Sequence, residues 1–244
     1  MRKSMQAVIL AGGLGTRLGK LTQTVPKPLV QVAGVPYLEH QLRLLKAQSV
    51  LDLLLLTGYL GEQIEERFGN GSSCGLAIRY SREQQPMGTA GALRDARRFL
   101  ADSFVLIYGD SYLPISYRAP HELLLSSGAQ GLLVVYDNTL GDTSVKNNVG
   151  LDERGKVTVY EKDSNRELRY VEAGVLAFRK SIVDLIPPDG PVSLEMEIFP
   201  RLIAQKQLAA YITRQRFYDI GTPERLSAFE SFLAHDHHTD TISN

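Results

Sequence analysis

The chain has 244 residues, enough to enclose one sizeable hydrophobic core, and its 27 basic residues balance 27 acidic ones. A net charge of zero excludes a general electrostatic attraction to nucleic acid or to a membrane surface, so any anionic ligand has to be bound by local groups. Cys74 is the only cysteine, which excludes an internal disulfide and a thiolate metal cluster. Because no apolar run is long enough to span a bilayer and the first residues do not form a secretory signal, we expect a cytoplasmic protein.

The first half of the chain alternates predicted strands and helices at the spacing of βαβ units. Each predicted strand is apolar at most positions, as expected for a strand that is covered on both faces. This rhythm predicts an α/β fold with a mainly parallel sheet flanked by helices. The predicted strands span residues 6–11, 51–57, 77–80 and 104–108, and the predicted helices span 37–48, 62–68 and 88–100.

The second half has more predicted strands than helices, and Asp-Glu-Arg-Gly at 152–155 is a predicted hairpin turn. No internal repeat or low-complexity linker interrupts the chain. We therefore expect one domain over residues 1–244, with a flexible tail over 235–244. The predicted strands span 131–136, 149–151, 156–160, 171–178, 208–212 and 216–219, and the predicted helices span 120–127, 194–204 and 223–234.

A glycine-rich loop follows the first predicted strand. Gly12, Gly13 and Gly15 interrupt the apolar run, and glycine lets the backbone approach an anion because it accepts positive φ and lacks a Cβ. Arg17 and Lys27 follow, and they add a bidentate phosphate ligand and a mobile point charge. The dinucleotide fingerprint lacks its third glycine here, and the ATP-binding loop lacks its hydroxyl residue. An ordinary solvated turn is the alternative, but it seldom combines such cations with a buried strand, so we interpret the segment as a phosphate-binding loop.

Two aspartates each come at the end of a predicted strand. Asp110 ends the segment Val-Leu-Ile-Tyr-Gly-Asp at 105–110, and Asp219 precedes Ile-Gly-Thr-Pro at 220–223. Phosphate enzymes commonly bind Mg²⁺ through one or two carboxylates together with substrate phosphates. An aspartate that only caps its own turn is the alternative for each position taken alone. We hypothesise that the two are a pair of Mg²⁺ ligands, although their proximity in space does not follow from the sequence.

Several segments, taken in their order along the chain, resemble the sugar-1-phosphate nucleotidylyltransferases. They are Leu-Ala-Gly-Gly-Leu-Gly-Thr-Arg-Leu at 10–18, Pro-Lys-Pro at 26–28, Gly-Asp at 109–110, Glu-Lys at 161–162 and Asp-Ile-Gly-Thr-Pro at 219–223. The resemblance runs from residue 5 to about residue 232. It implies the Rossmann-like fold of the nucleotide-diphospho-sugar transferases, with a nucleotide-binding half over about 5–110 and a sugar-phosphate-binding half over about 111–234. It also implies a Mg²⁺-dependent reaction in which a nucleoside triphosphate and a sugar 1-phosphate give a nucleotide sugar and pyrophosphate.

The resemblance assigns roles to residues on the nucleotide side. Arg17 and Lys27 would stabilise the charge that develops on the α-phosphate and on departing pyrophosphate, which makes them catalytic together with Asp110. The base-recognition segment would include Glu83 and Gly88, and a carboxylate at position 83 suits a guanine edge, which points to GTP. The remaining nucleotide-binding residues implied by the resemblance are Leu10, Gly12 and Gly13 for the nucleoside and Gly15, Thr16 and Arg17 for the triphosphate.

The resemblance also assigns the metal and the sugar phosphate. Asp110 and Asp219 match the Mg²⁺ ligands, and Lys162 matches the lysine that binds the phosphate of the sugar. Glu161 would bind sugar hydroxyls, and Glu172 and Gly174 would lie in the sugar pocket. Without the resemblance, Glu161 and Lys162 would be interpreted as a charged strand end. The chain departs from the family pattern at Lys20 and Asp163, where relatives commonly have proline, and at Glu172, where they often have asparagine.

Among subfamilies, the sequence most resembles the heptose 1-phosphate and mannose 1-phosphate guanylyltransferases. We therefore expect nucleotidyl transfer from GTP to a heptose or mannose 1-phosphate, for surface polysaccharide synthesis. The alternatives are a uridylyltransferase for a hexose or amino-sugar phosphate and a regulatory relative that only binds nucleotide sugars. A regulatory relative should lack a loop cation or a metal ligand, and Arg17, Lys27, Asp110 and Asp219 are all present. A homo-oligomer is a further expectation if Phe229 and Phe232 of the last helix face a subunit interface. The alternative is that these residues pack in the chain's own core.

Overall fold

The computed structural model describes residues 5–141, 143–162 and 164–239. Helices and strands alternate in the first half, and strands predominate in the second, as predicted. In chain order the elements are β1 (Gln6–Ala11), β2 (Gln31–Val32), β3 (Val35–Pro36), α1 (Tyr37–Ala47), β4 (Asp52–Thr57), α2 (Gly61–Phe68), β5 (Ala77–Arg82), α3 (Gly88–Asp95), β6 (Ser103–Tyr108), β7 (Ser111–Tyr112), α4 (Arg118–Ser127), β8 (Gly131–Asp137), β9 (Val149–Leu151), β10 (Val157–Tyr160), β11 (Tyr170–Arg179), α5 (Phe199–Ala204), β12 (Leu208–Thr213), β13 (Tyr218–Asp219) and α6 (Pro223–Thr239).

The strands form one large mixed sheet in the order β10-β9-β11-β6-β1-β4-β5, and β8 pairs with both β11 and β12. The central strand β1 runs parallel to β4 on one side and to β6 on the other. Strand β11 is antiparallel to β6, so the sheet continues from the first half of the chain into the second. The predicted mixed sheet with helices on its faces is confirmed. Because β1 and β6 are parallel, their carboxyl ends lie side by side, which is where open α/β sheets bind ligands.

Two hydrophobic clusters cover the faces of the sheet, which explains why its central strands are apolar on both sides. Helices α1, α2 and α4 pack on one face together with Ala7 and Ile9 of β1. Helices α3 and α5 pack on the other face, which Val8 contacts. A third, smaller cluster holds α6 against the rest of the chain through Tyr37 and Phe229, both of which are fully buried. The aromatic face of the last helix is thus used in the chain's own core.

Four predicted elements differ most from the observed ones in type or length, whereas the ends of most others shift by only one or two residues. The predicted helix 88–100 ends at Asp95 and gives way to a short 3₁₀ turn, Arg97–Phe99. The predicted helix 194–204 starts as a single π turn over Leu194–Ile198, and α5 follows with Pro200 in its first turn, where its missing N–H is tolerated. The predicted strand 216–219 is reduced to β13. Helix α6 continues to Thr239, into the region predicted as a flexible tail, whose residues 240–244 lie outside the described part of the chain.

Two short antiparallel strand pairs complete the fold. One of them pairs β7 with β13, so that Ser111 lies opposite Asp219. The backbone N–H of Ile220 also donates to the carbonyl of Asp110, at 3.1 Å. These contacts bring the segment after β6 next to the segment before α6. None of the described helices is both long enough and apolar enough to cross a membrane.

Candidate active site

A cavity of about 530 Å³ opens at the carboxyl ends of β1 and β6. It is lined by the glycine-rich loop on one side and by residues of α3, β6 and the segment after β10 on the others. The structure therefore brings together most residues predicted for the nucleotide and the sugar phosphate. The predicted residues that line the cavity are Leu10, Gly12, Gly13, Gly15, Thr16, Arg17, Lys27, Glu83, Gly88, Asp110 and Lys162.

The loop after β1, which we call the glycine loop (residues 12–17), owes its shape to close backbone approaches. Gly15 has a φ of 66°, and a Cβ there would lie 2.9 Å from the Thr22 side chain. The strand ends are held together by Gly109, whose N–H donates to the Leu10 carbonyl at 3.0 Å. A Cβ on Gly109 would lie 2.2 Å from that carbonyl oxygen. Glycine is therefore required at positions 15 and 109 for the loop to reach the cavity in this form.

A lysine and an aspartate meet inside the cavity. The Nζ atom of Lys27 lies 2.5 Å from Oδ2 of Asp110, and both side chains are largely buried. Lys27 begins a short 3₁₀ turn after Pro26, and Asp110 follows Gly109 at the end of β6. This ion pair joins a predicted catalytic cation to a predicted metal ligand. It places one positive and one negative charge within reach of any phosphate that the glycine loop binds.

Asp219 lies beside Asp110 along the backbone, but its carboxylate is held elsewhere. Its Oδ1 atom accepts from the Gly221 N–H at 2.7 Å, and its Oδ2 atom lies 3.3 Å from Nη1 of Arg225. The residue lines a second cavity of about 370 Å³ together with Arg216 and Arg225, and it does not line the first. The strand pairing thus confirms that the two aspartate backbones are adjacent, while their side chains face different spaces.

The predicted Mg²⁺ ion requires oxygen ligands, and its two predicted ligands are Asp110 and Asp219. Among the described residues, no group of three or more His, Cys, Asp and Glu side chains is arranged to hold a metal ion. Mg²⁺ does not need such a group, because it is usually bound by one or two carboxylates together with substrate phosphates and water. The carboxylates of Asp110 and Asp219 have the chemistry for a Mg²⁺ ion that binds together with nucleotide phosphates, but only Asp110 lines the first cavity, and Asp219 lines the second.

The predicted sugar-binding residues divide into those that reach the cavity and those that do not. Lys162 lines it, whereas the Glu161 carboxylate accepts from the Ser164 hydroxyl at 2.7 Å and lies 3.6 Å from Arg166. Gly174 has a φ of 75°, and a Cβ there would lie 2.1 Å from the Ser111 hydroxyl oxygen. Glu161 and Gly174 are thus placed outside the lining of the cavity, and Gly174 serves a close packing contact between β11 and β7.

Glu172 is also outside the cavity lining, but its chemistry is unusual. Burial, with smaller contributions from the nearby carboxylates of Glu195 and Asp110, raises its pKa to about 8 against the opposing effects of the Gly174 N–H and Lys162. The Gly174 N–H donates to Oε1 of Glu172 at 2.7 Å. A carboxyl group with this pKa is mostly protonated at neutral pH, so it is able to donate a hydrogen bond.

The base-recognition segment is tightly fixed. Oε2 of Glu83 accepts from the Met87 N–H at 3.0 Å. Gly88 has a φ of 72°, and a Cβ there would lie 2.5 Å from the Val192 carbonyl oxygen. The same carbonyl accepts from the Ala90 N–H at 2.9 Å and from the next amide. Two backbone amides of the first turn of α3 are already paired with this carbonyl. The helix end therefore has fewer free N–H donors for a ligand in the cavity than its position at the rim suggests.

Among the lining residues that the sequence did not assign to the site, three have polar side chains: Thr89, Tyr108 and Glu195. The Glu195 carboxylate accepts from the Tyr108 hydroxyl at 2.8 Å and from the Thr89 hydroxyl at 2.9 Å. Burial alone would raise its pKa, but the Lys162 ammonium and these donors hold the pKa of Glu195 below its ordinary value. The sequence signal that could have identified Glu195 is its place between the apolar residues at 194 and 198. A carboxylate buried among such residues rarely lacks partners.

Comparisons with known proteins show the family of this chain. The family model described as nucleotidyl transferase matches residues 6–236. The mannose-1-phosphate guanylyltransferase of Mycobacterium tuberculosis is 33% identical over 224 residues, which cover 90% of this chain and 62% of that relative. The D-glycero-alpha-D-manno-heptose 1-phosphate guanylyltransferase of Aneurinibacillus thermoaerophilus is 29% identical over 236 residues, which cover 95% of this chain and 99% of that relative. The chain thus spans about three fifths of the mannose relative and almost all of the heptose relative.

A solved structure has the same fold. The crystal structure of HddC from Yersinia pseudotuberculosis matches 94% of this chain and 99% of its own with a TM-score of 0.79 and 26% sequence identity. A second crystal structure of HddC, complexed with GMP-PN, matches 92% of this chain and 97% of its own with a TM-score of 0.75. These matches confirm the fold type that the motifs implied.

Proposed function

The chain belongs to the nucleotidyl transferase family, and from this premise we propose that it joins GTP to a sugar 1-phosphate. An oxygen of the sugar phosphate attacks the α-phosphorus of GTP, and the bond from that phosphorus to the β-phosphate oxygen breaks. A GDP-sugar forms and pyrophosphate leaves. The sugar phosphate is itself the nucleophile, so the chain has to supply positioning and charge and needs no nucleophilic side chain.

The observation that carries this proposal is the meeting of the glycine loop, the Lys27–Asp110 pair and Lys162 around one cavity. The loop supplies backbone groups for the nucleotide at one end. Lys162 supplies an ammonium for a second phosphate at the other end. Lys27 and Arg17, which line the same cavity, would stabilise the negative charge that accumulates as pyrophosphate departs. Groups fixed before the reaction stabilise such charge more effectively than water does.

A divalent ion fits this proposal. Asp110 and Asp219 would hold Mg²⁺ together with phosphate oxygens, and the ion would neutralise charge on the triphosphate. In the structure, Lys27 and Arg225 contact these two carboxylates. Binding of the ion and nucleotide would therefore take over part of the charge neutralisation that the two cations provide.

The choice of GTP and of the sugar rests on relatives and on one residue. Guanylyltransferases for mannose and heptose 1-phosphates are the relatives described above, and HddC was crystallised with GMP-PN. Glu83 lines the cavity near α3, where its free oxygen is able to accept from a guanine edge. A heptose or mannose 1-phosphate, a cytoplasmic location and a role in surface polysaccharide synthesis complete the proposal.

The test is a pyrophosphate-release assay with Mg²⁺ that crosses the common nucleoside triphosphates with mannose, heptose, glucose and N-acetylglucosamine 1-phosphates. We expect turnover with GTP and one of the first two sugars, and loss of that turnover in Asp110→Asn. Asp95→Asn is the matched control, because Asp95 is an exposed aspartate paired with Arg94 on the surface. Turnover with UTP and an amino-sugar phosphate would replace the guanylyl proposal with a uridylyl one. Nucleotide-sugar binding without any turnover would favour the regulatory alternative.

A further inference from the structure

We propose that Glu195 is a positioning residue that holds the Lys162 ammonium at the sugar-phosphate end of the cavity. This inference rests on the proposed function, because it takes the phosphate of the sugar substrate as the partner of Lys162. Its structural basis is separate, since it depends on the contacts that Glu195 makes within the chain.

The position of the Glu195 carboxylate is fixed from three directions. The side chain is 8% exposed, and a buried carboxylate is costly unless donors surround it. Oε1 accepts from the Tyr108 hydroxyl at 2.8 Å, at the end of β6. Oε2 accepts from the hydroxyls of Thr89 and Ser193, each at 2.9 Å. Because three donors hold this carboxylate, it cannot move toward a neighbouring charge. A charged side chain beside it therefore has to orient toward the carboxylate.

The partner beside it is an exposed lysine. Nζ of Lys162 lies 3.6 Å from Oε1 of Glu195, both residues line the cavity, and the lysine side chain is 60% exposed. A lysine side chain has many rotamers, and an ion pair with one exposed partner contributes little to folding stability. The contact therefore orients the Lys162 ammonium and adds little to folding stability. The ammonium has three N–H donors, so one is able to face Glu195 while the others face a phosphate.

The anchor of Glu195 reaches the nucleotide side of the cavity. The Thr89 hydroxyl donates to Glu195 and at the same time accepts from the Leu194 N–H at 2.8 Å. Thr89 lies in the first turn of α3, next to Gly88 of the base-recognition segment. The π turn that carries Glu195 is thus fastened to the nucleotide side and extends a charge toward the sugar-phosphate side. Residues from both ends of the cavity determine where Lys162 points.

The same turn offers a matched control. Glu197 is also a glutamate in the π turn, but its carboxylate accepts from the Ser193 N–H at 3.0 Å and it does not line the cavity. Glu197→Gln removes an equal charge from the same segment without touching Lys162. Glu195→Gln keeps the size of the side chain and one acceptor, while it removes the charge that faces the ammonium.

The kinetic test is a double-mutant cycle of Glu195→Gln and Lys162→Met. In Glu195→Gln we expect the KM for the sugar 1-phosphate to rise about tenfold, on the scale of a lost charge-assisted contact, with the KM for GTP changed by less than about twofold. In the Lys162→Met background, the same substitution should add less than about twofold. Glu197→Gln should leave both KM values unchanged. Losses that multiply in the double variant, or an equal rise in the KM for GTP, would overturn the positioning role.

A second measurement does not depend on turnover. Reductive methylation with ¹³C-formaldehyde gives each lysine an NMR signal, and the signal of Lys162 is the one missing from Lys162→Met. We expect this signal to shift in Glu195→Gln and to stay in place in Glu197→Gln. An unmoved signal would overturn the inference even if the wild type turns over, whereas a shifted signal in a chain without turnover would keep the contact and reject only the proposed function. If Glu195→Gln does not fold, Glu195→Asp keeps the charge, withdraws it from Lys162 and should shift the same signal.

Discussion

The cavity is bordered on one side by the glycine loop and on another by Tyr108 and Glu195. Together with the nearby Glu172, which does not line the cavity, these two residues form what we call the carboxylate cluster. In the glycine loop, the shape comes from absent side chains, as the positive φ of Gly15 illustrates. In the carboxylate cluster, the chemistry comes from buried side chains whose pKa values move in opposite directions. The pKa of Glu172 is raised to about 8, while that of Glu195 is lowered by Lys162 and by hydroxyl donors.

This difference shows two ways of preparing a site for anions. The loop presents backbone groups and needs its charges from nearby cations such as Lys27. The cluster keeps one carboxyl protonated and another ionised by placing them in different surroundings, as sites with two carboxyl groups commonly do. Substitutions that add atoms to a tightly packed glycine, or that remove a nearby cation, should therefore damage the loop side, and substitutions that change charge should damage the cluster.

The largest expected effect belongs to the cation on the loop side. Lys27→Met keeps the bulk of the side chain and removes the ammonium that pairs with Asp110. We expect kcat to fall roughly 10²–10³-fold, as for the loss of one preorganised donor to a developing negative charge. Lys20→Met is the control, because Lys20 is an exposed lysine of the same segment that does not line the cavity. Equal rates for the two variants in the pyrophosphate-release assay would remove Lys27 from the catalytic group.

The next test adds an atom instead of removing a charge. In Gly109→Ala the new Cβ would lie 2.2 Å from the Leu10 carbonyl oxygen, on backbone that ends β1. We expect a loss of about 1–3 kcal/mol in the free energy of unfolding, as for overpacking, and a fall in Tm of roughly 2–4 °C per kcal/mol. Gly13→Ala should leave Tm unchanged, since nothing lies within 4 Å of its Cβ. A Tm for Gly109→Ala equal to that of wild type would contradict the close approach of β1 and β6.

The glycine loop could be predicted from the sequence because its signal is local. A buried strand, three glycines and two cations lie within about twenty residues, and each has a direct physical meaning. The bounds of β1 and β9 are those predicted, since turn residues interrupt the apolar runs on either side. Lys27 and Asp110 are 83 residues apart, and they could be assigned to one site only through the resemblance of their motifs to the family.

The carboxylate cluster could not be predicted in the same way, because its properties come from residues far apart in sequence. Glu195 is fixed by donors at 89, 108 and 193, and no periodicity indicates that these segments meet. The pairing of β7 with β13, two residues each, is also too short to give a pattern. The glutamate at 161 is the opposite case, since a motif predicts it among the sugar ligands while its carboxylate is paired with Ser164 and Arg166 outside the cavity lining. Its role in sugar binding stays a prediction.

A third prediction uses pH to examine the cluster. The pKa of Glu172 in the folded chain, about 8, is above the ordinary value near 4.3, so folding favours the protonated form. The stability that this carboxyl contributes is fully present below about pH 4 and is lost as the pH rises through 8. Relative to Glu172→Gln, wild type should lose about 1 kcal/mol or more between pH 5 and pH 9, seen as a lower Tm.

The control for this experiment is Glu153→Gln, which changes the net charge equally at an exposed turn. If wild type, Glu172→Gln and Glu153→Gln follow parallel curves of Tm against pH, Glu172 is not protonated in the folded chain at neutral pH. Parallel curves would also mean that the carboxyl groups of the cluster ionise like those of an exposed acidic surface. The contrast between the cluster and the glycine loop would then be lost.

The smallest expected effect comes from Tyr108, the residue of the carboxylate cluster that ends β6. Tyr108→Phe keeps the ring and removes the hydroxyl that donates to Glu195 at 2.8 Å. Burial and nearby carboxylates hold the pKa of Tyr108 well above its ordinary value, so the hydroxyl stays a donor at any pH of assay. Because Thr89 and Ser193 still hold the other carboxylate oxygen, we expect the KM for the sugar 1-phosphate to rise only about two- to fivefold. Tyr80→Phe is the control, since its hydroxyl donates to the Gly69 carbonyl away from the cavity. An effect larger than that of Glu195→Gln, or one on the KM for GTP, would mean that the Tyr108 hydroxyl acts on a substrate directly and that the two regions are not chemically separate.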